Sequence, residues 1–269
     1  MDAVLSVKNL KVGYGSYVLM HDVNFAVNRQ DIFFILGASG CGKSTLLHVL
    51  MGLLAPESGD VFFGDVNFWP GSPAVRQKCM RNAGSLFQSG ALWSSMTLAE
   101  NVALPLQYFT NLGASEIREL AELKLSLVGL SGFEDYYPSE ISGGMIKRAG
   151  LARALALDPH IFFLDEPSAG LDPISASLLD ELIQELRDTL GATFIIVSHE
   201  LASIFNIGTN CIFLDVDTRT VTARGNPSEL AENPDTSHMA KMFLTRGGWH
   251  KDKATKSGFA PTSPQDGAK

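Results

Sequence analysis

A buried-strand pattern running straight into a glycine-rich loop and then a helix constrains this chain more than any other stretch. Ile32-Phe33-Phe34-Ile35-Leu36 is a continuous apolar run, as a parallel strand covered on both faces requires. Gly37-Ala38-Ser39-Gly40-Cys41-Gly42-Lys43-Ser44 follows at once, and the spacing of Leu46, Leu47, Val49 and Leu50 predicts a helix that stops at Gly52. Strand, loop and helix in this order make a nucleotide phosphate cradle. Backbone N–H groups of residues 38–45, Thr45 included, are expected to wrap the phosphates. Lys43 would neutralise the β and γ groups, and the Ser44 hydroxyl would ligate Mg²⁺. Cys41 occupies the variable position of the loop, where a small side chain is tolerated.

The rest of the chain alternates in the manner of an α/β core. Residues 4–12 and 23–27 read as short strands about a turn at Tyr14-Gly15-Ser16. Ile161 to Leu164 repeats the buried-strand pattern and ends at Asp165-Glu166-Pro167; Thr193 to Val197 repeats it again and ends at Ser198-His199. Ser175 to Leu190 is a helix closed by Gly191, and Cys211 to Asp215 and Thr220 to Ala223 are closing strands. Strand-like runs are scarce over residues 89–157, where Ser115 to Val128 is an amphipathic helix, so this region reads as a helical insertion. Residues 1–246 form a single domain on this reading, and the polar stretch 247–269 is expected to be a disordered tail.

Chemistry concentrates at the strand ends. Asp165 would hold Mg²⁺ through water, and Glu166 would polarise an attacking water. His199 ends a buried strand, placed to contact a γ-phosphate. Gln88 sits where the core gives way to the helical region; its neutral amide suits Mg²⁺ or the attacking water. Tyr14 would stack on the base, with Tyr17 as its rival. A second anion site opens another helix at Ser142-Gly143-Gly144-Met145. Two phosphate half-sites in one chain suggest that each nucleotide is gripped by two chains.

The net charge of -8 and pI near 5.2 disfavour a nucleic-acid partner. Three widely spaced cysteines, Cys41, Cys79 and Cys211, lack metal or redox spacing and read as free thiols. No secretory signal opens the chain and no apolar run could cross a bilayer, so any membrane role is expected to run through a partner.

Tyr14, the phosphate loop, Gln88, Ser142 to Met145, Asp165-Glu166, Leu171-Asp172 and His199 stand in the order of an ABC-transporter ATPase subunit, which residues 4 to about 230 resemble. The resemblance implies an α/β P-loop NTPase (RecA-like) core with an antiparallel β subdomain and an inserted α-helical subdomain. It implies ATP with Mg²⁺, and a homodimer in which Ser142 and Gly144 contact the γ-phosphate of the other chain's ATP and Asp172 lies at the seam. Phe87-Gln88-Ser89-Gly90-Ala91-Leu92, Glu100-Asn101-Val102-Ala103-Leu104-Pro105-Leu106, and Met145 with Lys147-Arg148 are similar to the ATPases of MCE-associated, Mla-type lipid transporters. That narrower likeness implies a permease, an MCE-type lipid-binding protein and a small regulatory subunit as partners. It places the chain on the cytoplasmic face of the inner membrane, with another small solute as the alternative cargo. Leu92-Trp93-Ser94-Ser95-Met96 would be the partner-facing loop, or a loop packed on its own domain.

Overall fold

A computed structural model describes residues 3–245; the expected disordered tail over 247–269 lies outside the described residues. The chain runs β1 (Ala3–Tyr14), β2 (Tyr17–Asn28), β3 (Ile32–Gly37), α1 (Lys43–Leu50), β4 (Ser58–Phe63), β5 (Val66–Asn67), α2 (Pro73–Arg81) and β6 (Ala83–Leu86). It continues through α3 (Leu98–Phe109), α4 (Ala114–Leu127), α5 (Gly143–Ala154), β7 (Ile161–Asp165), α6 (Pro173–Leu190) and β8 (Thr193–Val197). It closes with α7 (Leu201–Ile207), β9 (Asn210–Leu214), β10 (Val221–Gly225), α8 (Pro227–Glu232) and α9 (His238–Thr245).

The described strands form two sheets. One has the order β10-β9-β3-β8-β7-β6, with β9, β3, β8, β7 and β6 parallel and β10 antiparallel at its edge. The other is antiparallel, β2-β1-β4-β5. Strands β1 and β2 are longer than expected because their ladder closes on the turn itself, Tyr14 pairing with Tyr17. Between residues 53 and 88 the sequence pattern gives little warning of β4, β5, α2 and β6, which are short elements completed by pairing or packing.

Alternation within β3 divides the core. Phe33 and Ile35 face the antiparallel sheet and α1, in a cluster with Phe163, Ile195 and Val197. Ile32, Phe34 and Leu36 face the opposite way, in a cluster with Phe162 and Phe194 that extends into α3, α4 and α5. Phe162 and Phe194 stack at 4.9 Å on that face. Both faces of the parallel sheet are therefore covered, which explains its unbroken apolar strands.

Helices α3, α4 and α5 pack on one another between β6 and β7. Thr97 and Glu100 make a capping box that starts α3. Asn101, fully buried in that helix, accepts from the Trp93 N–H and donates to the carbonyls of Trp93, Met96 and Thr97. One amide thus holds the 93–97 loop while the Trp93 side chain stays 63% exposed.

Asp180 is buried in α6 beside Ser203 of α7, and burial pushes its carboxyl up to about 6 despite the Ser203 hydrogen bond. The folded state therefore holds this proton more tightly than the unfolded chain does. Its contribution to stability is largest below about pH 4 and falls as the pH rises through the folded pKa. Asp180→Asn should raise stability at pH 7 by about 1–3 kcal/mol and flatten the loss between about pH 4 and 6. Urea unfolding at a series of pH values measures both.

Candidate nucleotide site

Parallel register sets the ends of β3, β7 and β8 side by side: Phe34 pairs with Ile196, and Asp165 with Val197. The loops leaving those ends, joined by the Tyr14 corner of the antiparallel sheet, surround a cavity of about 820 Å³. Of the residues singled out in the sequence, Tyr14, Gly37, Ala38, Ser39, Gly40, Gly42, Lys43, Ser44, Thr45, Gln88, Glu166 and His199 line it.

Gly42 begins α1 with φ +98°, and a Cβ there would meet Met20 Cε at 2.7 Å. Only glycine fits both the backbone and the space. The α1 N-terminus consequently opens into the cavity with no side-chain cap on its N–H groups. Lys43 Nζ donates to the carbonyls of Gly37 and Ala38 at 3.0 and 3.1 Å, keeping its charge over the loop. Cys41 departs from its neighbours: its side chain is buried in the core, so only its backbone can face a phosphate. Burial pushes its thiol up, partly offset by Lys43, which makes it a poor nucleophile.

The Ser44 hydroxyl donates to Asp165 Oδ1 at 3.0 Å, so the two expected Mg²⁺ ligands meet. Gln88 reaches the same cavity after β6 ends at Leu86. Serine, aspartate and glutamine are an all-oxygen donor set, which fits a hard cation. Among the described residues no group of three His, Cys, Asp or Glu side chains forms a protein-only cage. Few protein ligands, supplemented by phosphate and water, suit Mg²⁺.

Glu166 adopts φ +48°, a left-handed conformation that is costly for a side chain of this kind. Its N–H is held by the Val197 carbonyl at 2.9 Å. His199 Nδ1 lies 2.8 Å from Glu166 Oε2, within ion-pair distance of that buried oxygen. The strand expected over Thr193 to Val197 is β8. His199 stands two residues beyond it, 58% exposed, with its Nε2 3.6 Å from Glu200 Oε1.

Tyr14 lines the cavity, whereas Tyr17 lies under the Arg219 guanidinium, 5.1 Å from ring centroid to Cζ. The sequence reading missed a wall formed by Leu19, Phe213, Met239, Met242 and Phe243. The apolar spacing in α9 was its available signal, but only the packing of Phe243 on Phe213, at 5.6 Å, brings that helix to the cavity.

Ser142, Gly143, Gly144 and Met145 do not line this cavity. They open α5 elsewhere on the surface, where the Ser142 hydroxyl caps the Met145 N–H and the Met145 side chain packs on the core. Asp172 lies nearby but likewise outside the cavity, and its carboxylate is engaged at its own helix. It accepts from the N–H groups of Ile174 and Ser175 and from the Ser175 hydroxyl, which holds it below the usual carboxylate range. Lys147, noted in the sequence only beside Met145 and Arg148, is a buried cation in α5 whose Nζ donates to the carbonyls of Gln88 and Glu166. Burial lowers its pKa, while Glu166 and Asp165 act to raise it.

The ABC transporter family matches residues 20–169. The intermembrane phospholipid transport system ATP-binding protein MlaF of Haemophilus influenzae is 38% identical over 86% of this chain and 87% of its own length. A probable ribonucleotide transport ATP-binding protein, mkl, of Mycobacterium leprae is 43% identical over 75% of this chain, a match spanning 58% of that relative. Among solved structures, a dimeric ATP-binding cassette in a post-hydrolysis state with ADP and phosphate superposes with TM-score 0.75 at 28% identity, over 82% of this chain and 98% of that one. The cbiO1 component of a transporter complex of Clostridium perfringens gives TM-score 0.78 at 28% identity, over 92% and 98%.

Of the two tyrosines, Tyr14 lines the cavity and Tyr17 does not. Tyr14→Ala should weaken nucleotide binding about fivefold to tenfold, the loss of one aromatic stack. Tyr17→Ala should leave it within about twofold in the same titration.

Proposed function

This chain belongs to the ABC transporter family, and from that premise we propose that it hydrolyses ATP to drive phospholipid movement across a bacterial envelope. It works as a nucleotide-sandwich homodimer on the cytoplasmic face of the inner membrane, bound to a permease and an MCE-type lipid-binding protein. The observation that carries the catalytic reading is the meeting of Ser44 with Asp165 at one side of the cavity and of Glu166 with His199 at the other. The lipid assignment leans on the Haemophilus relative, whose match covers most of both chains. Among the described residues no helix is long and apolar enough to cross a membrane, so a separate permease carries the membrane-spanning role in this reading.

The α1 N-terminus and Lys43 bind the phosphate chain and draw charge from it. Tyr14 orients the base. Ser44, Asp165 and Gln88 would hold Mg²⁺, which when bound neutralises charge developing on the transferred phosphoryl group. Glu166, whose carboxylate lines the cavity beside His199, orients and polarises the attacking water. His199, exposed beside Glu166, contacts the γ-phosphate.

The signature helix completes the site of a second copy. Ser142 and Gly143 are exposed at the start of α5, so its N–H groups and dipole are offered outward to a partner's γ-phosphate. Asp172 shapes the neighbouring seam by fixing the start of α6. Trp93, exposed on the loop that Asn101 holds, faces the permease.

Glu166→Gln should lower turnover at least about a hundredfold while ATP is retained, the size of a lost general base. Turnover at the native rate would remove Glu166 from that role. Met145→Gln should leave hydrolysis within about threefold, because the thioether packs on the core and makes no polar contact to lose. Mass spectrometry of molecules retained by the complex purified from membranes tests the cargo. Bound phospholipid with an MCE-type subunit supports the proposal. A bound nucleotide or other small solute favours the alternative carried by the name of the mycobacterial relative.

A further inference from the structure

Burying an ammonium is expensive unless carbonyls or carboxylates replace its water. Lys147 is 5% exposed, on a helix whose other inward positions are Ala149, Gly150, Leu151 and Ala152. An aliphatic residue would pack there without that cost, so the charge calls for another explanation. Its Nζ bonds the Gln88 carbonyl, just beyond β6, and the Glu166 carbonyl at 3.3 Å, just beyond β7.

The same helix grips the segment after Gln88 at two further levels. Arg153 donates to the carbonyls of Gly90 and Ala91 at 3.0 and 2.7 Å. Gly150 lies so close that a Cβ there would meet Leu86 Cδ1 at 2.6 Å and the Gly90 carbonyl oxygen at 3.1 Å. Helix α5 and the 86–91 segment therefore move as one piece. Five residues before Lys147, about 7–8 Å along the axis, the helix presents Ser142 to the outside. A push on that end reaches Gln88 through these contacts, and Glu166 through Lys147.

We propose that Lys147 is a positioning residue that ties the partner-facing end of α5 to Gln88 and Glu166 of its own site, coupling the two ATP sites of the dimer. The inference rests on the dimeric ATPase reading. When a partner's γ-phosphate engages Ser142 and Gly144, α5 shifts, and the shift sets where Gln88 and Glu166 stand for the chain's own nucleotide. The coupling is reciprocal, since each chain lends a helix and receives one.

Full-length native chain, Lys147→Met and Lys147→Arg are compared for ATP hydrolysis, ATP binding, melting temperature and amide hydrogen exchange. Lys147→Met keeps length and packing but loses the donor. It should lower kcat about tenfold or more with ATP affinity within about twofold, and bring the Hill coefficient for ATP down to one. Exchange should rise at residues 88–91 and 166–170 and stay unchanged in the 38–45 loop. Lys147→Arg, which still donates, should keep at least about half the native rate and the native Hill coefficient. Native kinetics in Lys147→Met, a native Hill coefficient of one, or equal losses in both variants that follow the melting temperature would each overturn the proposal. Absence of hydrolysis in the native chain would instead sink the ATPase reading. In that case unchanged exchange at 88–91 and 166–170 in Lys147→Met would still refute the strut.

Discussion

The nucleotide site depends first on the hydrogen-bond register of the parallel strands. Neighbouring strands hold Gly37 beside Leu214, Ile35 beside Val197, Asp165 beside Val197 and Leu86 beside Leu164. With all five running the same way, their C-terminal ends share one edge, and every loop that leaves them enters the same space. A slip of one residue in any of them would turn its inward side chains to the opposite core and displace its loop. The two apolar clusters, divided by alternation within β3, exclude such a slip.

On that edge the polar groups are held more tightly by the backbone than by one another. Lys43 rests on carbonyls of its own loop, Glu166 is fixed by a positive φ and the Val197 carbonyl, and Gln88 is anchored through its own carbonyl. The side-chain ends of Glu166 and His199 meet at 2.8 Å where both line the cavity. Rigid backbones that aim polar side chains into one space are what a site needs if its remaining partners arrive with substrate. The cost in strain and desolvation is borne by the apolar core beneath, where Phe162 stacks on Phe194.

Helix α5 opens away from this cavity, and that separation gives the proposed dimer its mechanical content. Helix α5 is joined to the cavity loops at its inner side, through Lys147 to the backbone at residues 88 and 166 and through Arg153 to that at residues 90 and 91. An exposed end and an anchored middle make it a lever between copies. The β6-to-α3 connection also carries Trp93, so signals from a permease and from a second chain would converge on the same few residues.

Much was legible from local pattern. The Ile32–Leu36 run, the glycine loop and the helix after it are contiguous in sequence, as are Asp165 with Glu166 and the cap at Ser142, because their geometry is set by short-range sterics and hydrogen bonds. The order of these stretches along the chain was enough to place it in a family. Tertiary structure decided the rest. It set Tyr14 on the cavity wall and placed Arg219 on the ring of Tyr17, although the two residues are the same type and three positions apart. It turned Cys41 into the core, brought α9 to the cavity wall and buried Lys147 between two strand ends far apart in sequence. Each of these depends on contacts between residues dozens to hundreds of positions apart, and no periodicity or motif along the chain encodes such a distance.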